Sequence, residues 1–285
     1  MDFIEILKAI LFGIVEGVTE WLPISSTGHM ILLENFVSFT GLSDGFFSMF
    51  EVVIQLGAIF AVVLLFWNKI FPFTLDKEKG YSQKGILSLV DKDIMNMWFK
   101  IVVACIPAII FAALGLDEVC EAHLYHYVPV AIALIVFGVA FIWIEEIHKG
   151  KKAKITQLAQ LSYKTAFIIG LFQLIAAIFP GTSRSGATIL GALLIGVSRT
   201  TAAEFTFFLA IPVMFGASLL KLLKFGFSFT NTELAVLIVG MVTAFLVSVL
   251  VIQFLMDYIK KHDFKLFGWY RIALGIIVLV YHFMV

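Results

Sequence analysis

Apolar residues form long runs along this chain, and short charged segments separate most of them. A helix needs about 20 apolar residues to cross the hydrocarbon core of a bilayer. Six runs are close to that length or longer, and each predicts a transmembrane helix. They cover residues 51–67, 97–116, 128–147, 204–223, 234–256 and 266–285. The pattern therefore predicts an all-α polytopic membrane protein.

Two further apolar runs are interrupted. The run 3–22 is followed by the segment 23–28, of sequence PISSTG, and the run 163–179 by the segment 180–186, PGTSRSG. Each break leads into a shorter apolar stretch, ending near Phe39 and near Val197. Proline cannot continue a helix, glycine weakens it, and serine and threonine cap a restarting one. Because irregular backbone inside a membrane must be buried in protein or line a wet cavity, both breaks are candidate functional sites.

The two breaks resemble each other. An offset of 157 (180 − 23) aligns these pairs: Gly13 with Gly170, Glu16 with Gln173, Pro23 with Pro180, Ser25 with Thr182, and Ser26 with Ser183. The next span opens with Glu51 in one half and Glu204 in the other, and each half then has three full spans. Three is an odd number, so the second half is upside down relative to the first. The sequence predicts two re-entrant broken-helix pairs in an inverted-topology repeat, 1–148 and 149–285, within one membrane domain.

Composition and charge agree with a membrane protein. Of the 285 residues, 61% are apolar and only 14% charged, and the mean hydropathy of +1.03 excludes an ordinary soluble domain. The formal net charge is zero, so nothing indicates a nucleic-acid partner. Cys105 and Cys120 match no zinc-binding or redox spacing and are predicted to be packing residues.

The positions of the charges predict the orientation. The connection with Asp117, Glu118 and Glu121 has no Lys or Arg, whereas the first, third and fifth connections between full spans are basic. Their cations are Lys69, Lys77, Lys79, Lys84 and Lys92, then Lys149, Lys151, Lys152 and Lys154, then Lys260, Lys261, Lys265 and Arg271. By the positive-inside rule these three connections are cytoplasmic, and with re-entrant breaks both termini face outward.

Ionisable residues cluster at the breaks. Glu16 and Glu20 lie on one helical face, and either they are functional or they belong to an amphipathic surface helix with wet carboxylates. Further polar residues at both breaks favour a functional role for these carboxylates. The first break adds Ser25, Ser26, Thr27 and His29, and the second adds Thr182, Ser183, Arg184, Ser185 and Thr188. Helix N-termini attract anions, and an arginine fork matches phosphate oxygens. The sequence predicts a phosphate site.

Residues 16–29, EGVTEWLPISSTGH, and 180–188, PGTSRSGAT, resemble the two signature segments of the undecaprenyl-diphosphate phosphatases, the integral-membrane bacitracin-resistance proteins. The likeness extends over the whole chain in length and span order. It implies hydrolysis of undecaprenyl diphosphate to undecaprenyl phosphate and inorganic phosphate in the bacterial inner membrane, which recycles the lipid carrier for cell-wall synthesis. It also implies a polyprenyl diphosphate lipid as substrate, membrane lipids as neighbours and a site that opens outward; a homodimer is left open.

The residues then suggest a mechanism. Ser26 at a helix restart is the preferred nucleophile, and either Glu20 or His29 is its base, with the family resemblance favouring Glu20. Arg184 holds the transferring phosphoryl group, together with the phosphate-binding candidates Thr27, Ser183, Thr182, Thr188 and Ser25. Glu16 and Glu20 are candidate ligands of a divalent cation, Mg²⁺ or Ca²⁺, that bridges the diphosphate.

Several alternatives stay open at this point. Direct attack by water, with Ser26 only binding, competes with a covalent intermediate. His29 is alternatively a hydrogen-bonded helix residue, Ser25 and Ser185 are alternatively helix caps, and Gln173 is a polar packing contact. A secondary transporter for an anionic lipid or organic phosphate would use the same binding groups, alone or alongside hydrolysis, whereas an ion channel is disfavoured because no filter segment repeats.

Overall fold

The computed structural model describes residues 3–74, 80 and 89–284, so the predictions for Lys77, Lys79 and Lys84 lie outside the described residues. Within the described ranges the fold is all-α, as the hydrophobic runs predict. The helices are α1 (Phe3–Thr19), α2 (Ser26–Phe36), α3 (Phe46–Val53), α4 (Gln55–Leu65), α5 (Trp67–Ile70), α6 (Lys92–Ala113), α7 (Leu116–Leu124), α8 (Tyr127–Ile147), α9 (Tyr163–Ile178), α10 (Arg184–Leu194), α11 (Arg199–Phe225), α12 (Asn231–Ile259) and α13 (Lys265–Met284).

Six spans long and apolar enough to cross a membrane are confirmed among the described residues. They are α3 with α4, α6, α8, α11, α12 and α13, and most begin a few residues earlier than the apolar runs suggest. Polar caps explain the early starts, because Asp91, Ser198 and Thr230 each accept a hydrogen bond from a first-turn N–H group of the following helix. The chain is therefore a multi-pass membrane protein.

Two details of the predicted connections are wrong. The acidic second connection is not a loop, because α7 forms there. Arg271 does not belong to the connection before the last span: it lies inside α13 and is fully buried. The cations that remain in that connection and predict its sidedness are Lys260, Lys261 and Lys265. Both cysteines are free thiols, and Cys105 is buried, as expected of a packing residue.

Both predicted helix breaks are present. Helix α1 ends at Thr19 and α2 begins at Ser26, and α9 ends at Ile178 with α10 beginning at Arg184. Each pair also leaves beside the point where it enters. At the first pair, the Lys8 ammonium donates to the Ser38 carbonyl at 2.6 Å, which ties the first turns of α1 to the chain that follows α2.

At the second pair, the Lys154 backbone N–H donates to the Gly196 carbonyl at 2.8 Å, so the chain before α9 is tied to the chain after α10. The re-entrant course of the two pairs and the inverted-topology repeat with halves 1–148 and 149–285 stay predictions.

Close helix contacts hold the broken pairs in place. Helix α1 lies so near α12 that a Cβ atom on Gly13 would stand 2.7 Å from the Gly240 carbonyl oxygen. Gly17 meets the same helix at Ala244 and Val247, as a pair of small residues four apart predicts. The first break is wedged by Trp21, which is fully buried and meets Phe207 of α11 edge-on at 5.2 Å. The break is thus packed inside protein rather than exposed to lipid.

Candidate active site

Each broken helix restarts at a serine with a left-handed backbone. Ser25 has φ 75° and Ser183 has φ 69°, and among the described residues these are the two non-glycine residues with positive φ. The Ser25 hydroxyl accepts from the Gly28 N–H at 3.3 Å and the Ser183 hydroxyl from the Gly186 N–H at 3.1 Å, so both are helix caps. Strained backbone of this kind is concentrated at functional sites, where the surrounding structure holds it in place.

The two caps correct the register of the internal alignment. They are 158 residues apart (183 − 25), one more than the prolines. In this register Ser26 is the counterpart of Arg184, and not of Ser183. The first helical residue after each cap is therefore a hydroxyl in one half and a guanidinium in the other, so the two restarts bring different chemistry to one centre.

A chain of hydrogen bonds joins the two restarts through one carboxylate. The Ser26 hydroxyl donates to Oε2 of Glu20 at 3.2 Å, and Nη2 of Arg184 donates to Oε1 of the same group at 2.7 Å. Only 7% of Glu20 is exposed. A carboxylate inside an apolar domain is costly unless it is paired, and the guanidinium supplies that pairing. The structure thus aligns a hydroxyl, a carboxylate and a guanidinium.

Backbone contacts fix this arrangement. The Ser185 hydroxyl donates to the carbonyl oxygen of Glu20 at 2.9 Å, which locks the start of α10 to the first break. Nη1 of Arg184 donates to the Thr206 carbonyl at 3.2 Å. The Thr188 hydroxyl donates to the Arg184 carbonyl and accepts from the Thr206 hydroxyl, each at 2.9 Å. Helix α11 thereby sets the position of the guanidinium.

Exposure divides the polar and charged residues singled out at the two breaks into two groups. Partly exposed are Ser26, Thr27, His29, Ser183 and Arg184. Buried are Ser25, Thr182, Ser185 and Thr188. A ligand that enters from outside the protein meets the first group directly, whereas the hydroxyls of Ser25, Ser185 and Thr188 already bond inside the protein.

His29 lies one helical turn beyond Ser25 and is held at both ring nitrogens. Nδ1 donates to the Ser25 carbonyl at 2.7 Å, and Nε2 accepts from the Tyr270 hydroxyl at 2.7 Å. The rings of His29 and Tyr270 are stacked, with 9° between their planes. Glu20, and not His29, is the group hydrogen-bonded to Ser26 in this arrangement.

Arg271 is a residue that the sequence analysis missed as part of the site. It is fully buried, and its Nη2 donates to the carbonyl oxygens of Gly181 at 3.1 Å and Thr182 at 2.6 Å. Its Nη1 donates to the Pro23 carbonyl at 3.3 Å. One guanidinium therefore fastens both breaks together. Arg271 lies inside the apolar run 266–285, so the rule that an ionisable residue in such a run is a functional candidate, which identified Arg184, could also have found it.

Glu16 lies behind this centre. The residue is buried, and its Oε1 has no hydrogen-bond partner among the described residues. Glu20, Glu51 and Arg184 lie close enough to interact with its carboxyl group electrostatically, and Glu51 is a second residue that the analysis of the breaks did not include. Gln173, the counterpart of Glu16 in the second half, is also buried, with both side-chain polar atoms unpartnered in the described part of the chain.

Comparison with known proteins agrees with the two motifs that form this centre. The family model of the bacitracin resistance protein BacA matches residues 9–277, which include both breaks, the first five spans and the first part of α13. The chain belongs to this family. The resemblance carried by residues 16–29 and 180–188 is confirmed.

Curated relatives match the chain from end to end. A protein named undecaprenyl-diphosphatase from Desulfitobacterium hafniense is 63% identical over 99% of this chain and 97% of its own length. Undecaprenyl-diphosphatase 1 of Clostridium acetobutylicum is 60% identical over 100% of both chains. The undecaprenyl-diphosphatase of Enterococcus faecalis is 60% identical over 98% of both.

Proposed function

We propose that this chain is an undecaprenyl-diphosphate phosphatase, a membrane enzyme that hydrolyses undecaprenyl diphosphate to undecaprenyl phosphate and inorganic phosphate. Its relatives carry that name over their full length, and its family is that of bacitracin resistance. The observation that supports the chemistry is the aligned set of the Ser26 hydroxyl, the Glu20 carboxylate and the Arg184 guanidinium. Recycling of the lipid carrier for cell-wall synthesis and resistance to bacitracin follow from this activity.

In the first step, the Ser26 oxygen attacks the terminal phosphorus of the diphosphate. Its proton passes to Oε2 of Glu20, the acceptor of its hydrogen bond. The bond between that phosphorus and the bridging oxygen breaks, and undecaprenyl phosphate leaves with the electron pair. Glu20 is the base in this proposal because both nitrogens of His29 are otherwise engaged.

In the second step, water attacks the phosphoserine at phosphorus. Glu20, which has passed the serine proton to the departing undecaprenyl phosphate, is again free to act as base and takes a proton from the water. The bond between phosphorus and the Ser26 oxygen breaks, and inorganic phosphate is released. The Ser26 oxygen leaves with the electron pair and takes the proton from Glu20, so the site returns to its starting state. Direct attack of water on the diphosphate is the alternative, and it differs in that no phosphoserine forms.

Charge stabilisation falls to the groups that a ligand can reach. Negative charge spreads over the oxygens of the transferring phosphoryl group, and fixed donors aimed at them lower the barrier. Arg184, Thr27 and Ser183 are partly exposed at the two restarts and carry this role. The buried residues hold the helix starts in place: Ser25 caps α2, the Thr188 hydroxyl donates to the Arg184 carbonyl, and the Thr182 carbonyl accepts from Arg271. Substrate phosphate then competes with Glu20 for the Arg184 fork, which frees the carboxylate to act as base.

A divalent cation, Mg²⁺ or Ca²⁺, fits the acidic side of this centre. The unpartnered Oε1 of Glu16 is a hard oxygen donor, and Glu20 lies beside it. Among the residues described, no group of three or more His, Cys, Asp or Glu side chains is arranged for a metal, and Glu16 and Glu20 would hold the ion together with substrate oxygens. When bound, the ion supplies neutralisation of phosphoryl charge.

We place the enzyme in the bacterial inner membrane with both termini and the site facing outward. The basic residues Lys149, Lys152 and Lys261 belong to the connections that the positive-inside rule assigns to the cytoplasm. A Thr27→Cys variant tests the direction of access. An impermeant thiol reagent added outside intact cells should label this cysteine, and labelling only from the cytoplasmic side would reverse the assignment.

The test of the proposed function is phosphate release from a purified polyprenyl diphosphate in detergent, with and without Mg²⁺. Wild-type protein should release phosphate, and Ser26→Ala should lose at least about a thousandfold in rate. The matched control is Ser162→Ala, since Ser162 caps α9 with an ordinary backbone away from Glu20. Acid-stable phosphate on Ser26 in quenched wild-type protein would support the covalent route. No release by folded wild-type protein would contradict the proposal and favour a carrier.

A further inference from the structure

A separate cavity lies at the far end of α10. Its volume is about 810 Å³, and it opens where α8, α10 and α12 end and α11 begins. Arg184 and Leu194 stand at opposite ends of α10, about 15 Å apart at a rise of about 1.5 Å per residue. The cavity is therefore separate from the site at the helix breaks.

The cavity is rich in positive charge. Among its lining residues are Lys151, Lys152, Lys154 and Lys260. Lys260 pairs with Asp257 at 2.9 Å, but the first three are exposed and have no ion-pair partner in the described part of the chain. This end of the protein therefore carries a concentrated positive field that no internal carboxylate cancels.

The one carboxylate in the cavity wall is already neutralised. Glu145 is buried and pairs with Arg199, whose Nε donates to it at 2.8 Å. The Phe264 backbone N–H donates to the same carboxylate at 3.0 Å. A paired glutamate with a fixed position does not repel an anion that enters among the lysines.

Backbone hydrogen bonds fix the basic segment against the protein. The N–H groups of Lys154 and Ile155 both donate to the Gly196 carbonyl, at 2.8 and 3.2 Å, and the Ser198 N–H donates to the Ile155 carbonyl at 2.8 Å. The Lys154 stem also packs over Gly196, with Cδ 3.3 Å from where a Cβ atom would lie. The lysines thus stand on a backbone of defined shape.

Apolar side chains form the rest of the wall. Ile144, Leu193, Leu194 and Ile259 belong to the last turns of α8, α10 and α12, and Leu194 is 37% exposed. Helices α8 and α12 are long and apolar enough to span a membrane, so we expect their ends at the boundary between the hydrocarbon core and the headgroups. A ligand that fits both parts carries an anionic head and an apolar chain.

We propose that this cavity binds an anionic phospholipid, with the phosphate group among Lys151, Lys152 and Lys154 and an acyl chain against Leu194. Basic pockets between transmembrane helices on the cytoplasmic side are suited to phosphate headgroups, and each nearby lysine strengthens the attraction. A soluble phosphate would use the lysines but gain nothing from the apolar wall.

The experiment measures lipid binding to the purified protein by native mass spectrometry, with phosphatidylglycerol and phosphatidylcholine titrated in parallel and inorganic phosphate as a soluble competitor. The test variant is K151Q/K152Q/K154Q. The control is K149Q/K164Q/K261Q, which removes the same charge from exposed lysines that do not line the cavity. All six positions are exposed, and phosphate release by each variant reports folding.

Wild-type protein should retain phosphatidylglycerol in preference to phosphatidylcholine, and the test variant should bind phosphatidylglycerol about a hundredfold more weakly. The control should keep its preference, and both variants should release phosphate at the wild-type rate. An equal loss of phosphatidylglycerol binding in the two variants would overturn the proposal, because the lipid would then respond to the overall positive charge and not to this cavity. Displacement by inorganic phosphate at similar concentrations would also overturn it, because the ligand would be a soluble anion.

Discussion

Arg271 donates a 2.6 Å hydrogen bond to the carbonyl oxygen of Thr182 from a position where none of its side chain is exposed. All its acceptors are backbone carbonyls, and they belong to both helix breaks and to α8. The end of an interrupted helix leaves carbonyl oxygens without intrahelical donors. A guanidinium with five N–H donors in one plane can serve several of them at once.

Replacing this arginine should therefore damage both breaks together. We expect Arg271→Met to leave buried carbonyl oxygens without a donor, which should destabilise the protein by about 1–3 kcal/mol for each oxygen. Thermal stability in detergent and the rate of phosphate release should both fall. Arg271→Lys should recover only part of either, since an ammonium cannot reproduce the planar fork. Thermal unfolding and phosphate release measured on the same preparations check this.

The control is Lys265→Met on the same helix, because Lys265 is a surface residue paired with Glu146 and should change stability by less than about 1 kcal/mol. Wild-type stability in Arg271→Met would show that the breaks do not depend on these hydrogen bonds.

Glu20 and Arg184 should act as a unit. Glu20→Gln and Arg184→Met should each reduce phosphate release by about a thousandfold, because one removes the base and the other removes the guanidinium that donates hydrogen bonds to the phosphoryl oxygens. The double variant should release phosphate only slightly more slowly than the less active single variant, since the effects of substituting residues that work in one step are not additive. Rates for the four proteins complete the cycle.

A second ion pair provides the comparison for that cycle. Lys69 and Glu204 are 2.8 Å apart with the lysine half exposed, so Lys69→Met and Glu204→Gln should each change phosphate release little, and the coupling between them should be small. Full additivity for Glu20 and Arg184 would mean that the two residues serve separate steps.

Much of the architecture was predictable from local rules. Proline, glycine and serine in series marked both breaks, and α2 begins within three residues of Pro23. The rule that an ionisable residue in an apolar run has a function identified Glu20 and Arg184, and the structure bonds them to each other. Short-range chemistry was therefore enough to predict which segments meet.

Contacts that depend on the packing of distant helices were not predictable. Tyr270 meets His29 across 241 positions of sequence, and no pattern near either residue indicates it. Arg271 was counted as a loop cation because basic residues precede the last apolar run, although burial makes it part of the core. The register of the caps also depends on backbone geometry, which places Ser26 opposite Arg184 only once both helices restart.

The left-handed caps have their own consequence. At Ser183, and likewise at Ser25, glycine would lose the cap but relieve the positive φ, whereas alanine would lose the cap and keep the strain. Ser→Gly should therefore be more stable than Ser→Ala by about 1–2 kcal/mol at each position, measured by thermal unfolding. At Ser162, where φ is −87°, the difference in stability between the glycine and alanine variants should be smaller by about 1 kcal/mol. An equal difference between the two variants at all three caps would show that the positive φ does not destabilise the protein.

Glu16 should set the response to a divalent cation. Its buried Oε1 has no partner in the described residues, and a cation shared with substrate phosphate would satisfy it. Glu16→Gln keeps the shape but removes the charge, so it should raise the Mg²⁺ concentration for half-maximal phosphate release at least about tenfold. Gln173→Met, at the uncharged counterpart, should leave that concentration unchanged. A shifted Mg²⁺ response in Gln173→Met with a normal one in Glu16→Gln would place the cation in the other half of the protein, and no Mg²⁺ response in wild type would remove it from the mechanism.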